Sequence, residues 1–85
     1  MSIAKYVESK NRFRALFGSP ELDLRSAADR QQIAQMIDAD LSPENLTCDG
    51  ELSRGQVQAR YEQLVQAAQD LYRLDPTVRF SEFVT

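Results

Sequence analysis

The chain has 85 residues, 42% of them hydrophobic, and a formal net charge of -3 at pH 7. That length gives one domain with a thin core, burying about 60–65% of the surface its unfolded form exposes. One cysteine and no histidine exclude an intramolecular disulfide, a nucleophile activated by imidazole and a zinc site, and the mild acidity argues against a nucleic-acid footprint over the whole molecule.

Charge is polarised along the chain. Residues 1–18 carry four basic side chains and one acid, a balance of +3. Residues 19–52 carry two arginines and eight acids, a balance of -6, and the remainder is neutral. The N-terminal residues lack the apolar run of a signal peptide, and nothing approaches the ~18 consecutive apolar residues of a membrane span. A cytoplasmic location, away from membranes, is the expectation.

The first helix is predicted over residues 2–17. Ile3, Tyr6, Val7, Phe13, Leu16 and Phe17 fall on one face of a wheel drawn at ~100° per residue, so all six are expected in the core. Lys10 lies near the middle of that face and is expected to snorkel past the apolar rim. Gly18 stands where a helix end needs a left-handed residue.

Ser19-Pro20-Glu21 has a capping serine followed by proline at a first helical position, which predicts a short helical turn with Leu22 and Leu24 inward. Ser26 then caps a second helix over residues 26–40, with Ile33, Met36, Ile37 and Leu41 as its apolar stripe. Asp38 and Asp40 fall in its last turn, where a carboxylate faces the negative end of the helix dipole. Ser42-Pro43-Glu44 repeats the serine–proline start and predicts one more turn before Cys48. Asp49-Gly50 is a turn dipeptide.

The third helix, over residues 53–74, is the most completely specified. Ser53 and Gln56 form a capping box, bracketed by Leu52 and Val57 as a hydrophobic staple. Val57, Tyr61, Leu64, Ala68 and Leu71 recur at steps of four and three, with Val65 and Tyr72 widening the stripe. Two heptads of that spacing favour packing within the chain over a zipper, although a homodimer along the distal half stays open. Pro76 ends the helix, because the residue before proline is driven out of helical geometry. The tail, residues 76–85, holds Val78, Phe80, Phe83 and Val84, too apolar for a frayed end. It is expected to fold back over Leu71, Tyr72 and Leu74, or else to join them in a contact surface.

Several patterns invite a chemical reading. Residues 40–51 begin with Asp40 and end with Glu51 between two helices, as a calcium loop does. However, Asn45 takes the required glycine position and Pro43, Ser42 and Glu44 break the ligand pattern. Cys48 has Asp49 and Glu51 beside it, which disfavour the thiolate, so it is expected to be a semi-buried packing residue. Paired carboxylates perform acid–base chemistry only in a cleft that perturbs one of them, and so thin a core leaves little room for one.

The expected architecture is all-α: a small irregular three-helix bundle with short connecting turns and a docked C-terminal tail. The expected role is a protein-interaction module, an adaptor, regulator or inhibitor acting by surface contact, with no catalytic residue, cofactor or metal. Its contact residues would be Tyr72, Val78, Phe80 and Phe83 as apolar anchors. Asp38, Asp40, Glu44, Asp49 and Glu51 would form an electrostatic guide. The alternative is a nucleic-acid-associated regulator using Lys5, Lys10, Arg12 and Arg14.

Overall fold

The structure is a computed structural model describing residues 1–80. Four helices follow one another: α1 (Ile3–Ala15), α2 (Ala27–Asp40), α3 (Pro43–Leu46) and α4 (Arg54–Leu74). No strand occurs among the described residues, and the architecture is the all-α bundle expected.

The start signals at Ser2, Ser26 and Ser53 act as their chemistry dictates. The Ser2 hydroxyl accepts from the Lys5 N–H at 3.2 Å, and the Ser26 hydroxyl accepts from the Asp29 N–H at 3.3 Å. At α4 the capping box closes in both directions. The Gln56 N–H donates to the Ser53 hydroxyl at 3.2 Å, and the Ser53 N–H donates to Gln56 Oε1 at 2.8 Å. Pro43 opens α3, where its missing N–H costs nothing. Asp75 leaves the helical region at φ -145° and ψ 95°, as the following proline requires. Gly18 takes φ +70° just beyond α1.

The long helix α4 is the axis of the molecule. It packs on both α1 and α2, whereas those two scarcely meet. The Cα atoms span 35 × 31 × 17 Å. The helices therefore lie side by side with α4 between its neighbours. Its central residues must face two partners at once, which is why Ala67 and Ala68 stand there beside Leu64 and Leu71. The core is completed by Ile3, Tyr6 and Val7 from α1 and by Ile33, Ala34 and Ile37 from α2. Leu22, Leu41 and Val78 join from the connections.

Five features differ from the sequence expectation. First, α1 ends at Ala15, and Phe13, Leu16 and Phe17 are 61%, 79% and 72% exposed. The cause lies in the returning chain. Asn11 binds both the N–H and the C=O of Leu22, at 2.7 and 3.0 Å, and Arg14 Nε donates to the Pro20 carbonyl at 3.0 Å. Residues 19–24 are thereby held on one shoulder of the α1 stripe, while the wheel puts Phe13 on the other and Leu16 and Phe17 lie beyond the last helical residue. Second, the same two bonds hold Leu22 buried in a non-helical segment, so no turn of helix forms after Pro20.

Third, the described part of the tail, residues 76–80, docks on the start of α2 and leaves part of the end of α4 uncovered. The Arg79 N–H donates to Gln31 Oε1 at 3.0 Å, and Gln31 Nε2 donates back to the Arg79 carbonyl at 3.3 Å. Leu71 is buried, but Tyr72 and Leu74 stay exposed. Fourth, Tyr61 lies at the edge of the α4 stripe and is partly exposed, whereas Ala67 is fully buried. Fifth, Cys48 is exposed, because Cys48, Asp49 and Gly50 all take positive φ and swing the chain outward.

Candidate interaction surface

The most exposed apolar cluster belongs to the end of α1. Phe13 and Phe17 stand one turn apart with ring centroids 5.1 Å from each other and planes tilted by 56°. Leu16 beside them is the most exposed of the large apolar side chains. Exposed single apolar residues are ordinary, whereas these two aromatics and a leucine are exposed within five residues of one another. Their neighbours are basic. Arg12 is exposed and bonded to Glu8 at 3.1 Å, while Arg14 is half-buried. Periodicity alone could not reveal this surface, since Phe13 and Phe17 share a stripe with Ile3 and Tyr6.

The residues expected to anchor a partner divide differently. Val78 is 3% exposed and belongs to the core, so it offers no surface. Phe80 is half-buried and packs against that core. Tyr72 is exposed, with Leu74 two residues on. Phe83 lies outside the described residues.

The expected acidic guide is also divided. Glu44, Asp49 and Glu51 are exposed, around a connection shaped by α3. Asp38 and Asp40 are half-buried. Asp40 is drawn inward, accepting from the Tyr6 hydroxyl at 2.7 Å and pairing with the Lys10 ammonium at 2.9 Å. The ammonium also lies 5.3 Å from the Tyr6 ring centroid, within cation–π range. Lys10 amid an apolar stripe and Asp40 at the negative end of a helix are two local anomalies in the sequence. In the fold they neutralise each other across 30 residues. Burial, and then the bond to Asp40, pushes the Tyr6 phenol well above its usual range, so it stays a proton donor to Asp40.

Of the four cations considered for nucleic acid, Lys10 is thus paired with Asp40 and Arg12 with Glu8, while Arg14 Nε donates to the neutral Pro20 carbonyl. Lys5 remains exposed on α1. The residues that suggested a calcium loop contain α3, a helix where a metal loop would be extended around its ion. Among the described residues no cluster of acidic or sulfur side chains converges in the manner of metal ligands.

A second polar assembly escaped the sequence reading. Arg60 of α4 stands opposite Tyr6 and Lys10, its Nε out of contact with solvent and without a hydrogen-bond partner. With Ser9, Asp40 and Gln63 these side chains surround a cavity of about 130 Å3. An interior arginine in the amphipathic stretch 54–74 was the only available signal, and alone it resembled any solvated helix charge. No helix among the described residues is long and apolar enough to cross a membrane. No protein-family model matches the chain, and neither a curated protein nor a solved structure gives a match.

Proposed function

We propose that this chain is a cytoplasmic protein-interaction module that works by presenting the Phe13–Leu16–Phe17 edge to an acidic, apolar segment of another protein. The exposure of those three side chains at the end of α1 is the observation that supports this reading. Fully burying a phenylalanine side chain is worth about 1.5–3 kcal/mol, so two of them give a compact anchor. Arg14 beside them, whose bond to the neutral Pro20 carbonyl leaves its charge uncompensated, favours carboxylates on the incoming segment. The same charge opposes self-association through this edge, because two copies would bring like charges together. A role of this kind needs no catalytic centre or cofactor.

The test is selection of peptides from a random display library on the immobilised chain. Wild-type protein should enrich peptides with an apolar face and flanking Asp or Glu. Phe13→Ser/Phe17→Ser should lose at least about tenfold in affinity for them, the scale of a lost anchor. Both side chains are exposed, so the double variant should melt close to wild type. Enriched peptides that bind the double variant equally well, or no enrichment on the wild type, would defeat the proposal.

A further inference from the structure

We infer that the cavity between Lys10 and Arg60 binds a small oxyanion of phosphate size, a site separate from the apolar edge of α1. The argument begins with Arg60. A buried nitrogen donor without a partner costs about 1–3 kcal/mol, and native folds leave few such groups. No hydrogen bond or ion pair engages Arg60 among the described residues, and its Nε is shielded from solvent. The three helix segments around it add only one carboxylate, that of Asp40. That carboxylate is already matched by the Lys10 ammonium at 2.9 Å and the Tyr6 hydroxyl at 2.7 Å. One guanidinium charge is left over.

Besides the apolar Leu64, the cavity has further groups able to donate. The Ser9 hydroxyl and the Gln63 amide line it beside Arg60, and the Lys10 ammonium has N–H groups beyond the one facing Asp40. Such a surplus of donors suits a ligand that brings several acceptor oxygens and a negative charge, and guanidinium matches an oxyanion through paired N–H groups. Size narrows the class. The cavity, at about 130 Å3, is well below the ~300–1,000 Å3 of a drug-sized ligand site. A tetrahedral oxyanion fits; a nucleotide needs the several hundred Å3 of an ordinary ligand pocket.

Inorganic phosphate is the probe, titrated against sodium chloride at matched ionic strength. Wild-type protein should show saturable amide chemical-shift changes centred on Ser9, Lys10, Arg60 and Gln63, with a rise in melting temperature. Arg60→Gln should weaken phosphate about tenfold or more while melting close to wild type without it. Arg60→Lys, which keeps the charge and loses the fork, should fall between. Capped phosphoserine tells the two sources of this chemistry apart: equal affinity indicates a free ion, and tighter binding a phosphorylated side chain. Shifts that do not saturate, that centre elsewhere or that survive Arg60→Gln would overturn the site, leaving the peptide selection on the α1 edge unaffected.

Discussion

Asp75 shows how much one side chain at a helix end can hold. Its Oδ1 accepts from the Thr77 hydroxyl at 2.6 Å and the Thr77 N–H at 2.9 Å, and its Oδ2 accepts from Arg30 Nε at 2.6 Å. Arg30 also donates to the Leu24 carbonyl at 2.8 Å, so one pair ties together the end of α4, the start of α2 and the turn before it. Thr77 and then Arg30 hold the Asp75 carboxyl at about 2, well below its usual 3.8. The unfolded chain therefore binds the proton more readily, and the stability from this carboxylate is full above the unfolded value. It is lost as pH falls from about 4 to 2. Thermal melts across that window should fall more steeply for wild type than for Asp75→Asn. Parallel curves would mean that the pair contributes nothing.

Among the elements, α4 is the one whose start matters most, because both other long helices pack on it. Its 21 residues give a length of about 31 Å, and its first turn is fixed by the reciprocal Ser53–Gln56 bonds. Removing the cap with Ser53→Ala should cost about 1 kcal/mol. For a domain of this size that is a fall of about 4–8 °C in melting temperature, read by circular dichroism. An unchanged melt would show the first turn frayed in wild type too. The helix α1 illustrates the opposite case. Its apolar stripe is continuous in sequence, yet only Ile3, Tyr6 and Val7 are buried, since residues 19–24 are anchored on the far shoulder by Asn11 and Arg14.

The whole molecule has little interior to spare. Stability of about 0.05–0.15 kcal/mol per residue puts an 85-residue domain at roughly 4–13 kcal/mol. Leu71 is fully buried where α4 faces its neighbours, and Leu71→Ala should cost about 2–5 kcal/mol. The melting temperature should fall by roughly 10 °C or more. Tyr72→Ala, one residue along but on the exposed side, should move it far less. Similar losses in both variants would contradict the placement of the core against that face of α4.

The sequence by itself determined where α2, α3 and α4 begin and where α4 stops. Ser26, Ser53 with Gln56, Pro43, Gly18 and Pro76 act through bonds or sterics that span only a few residues, and each does in the fold what its chemistry prescribes. The same locality made Leu64, Ala68 and Leu71 legible as core and the loop after Asp49 legible as a turn. Only the tertiary structure decided which apolar residues are left outside. Phe13 and Phe17 are surface while Val78 is core because burial depends on which distant segment arrives at a face, and periodicity carries no information about that. The partnership of Lys10 with Asp40, and the isolation of Arg60 beside them, arise for the same reason: charges far apart in sequence meet only after the helices have packed.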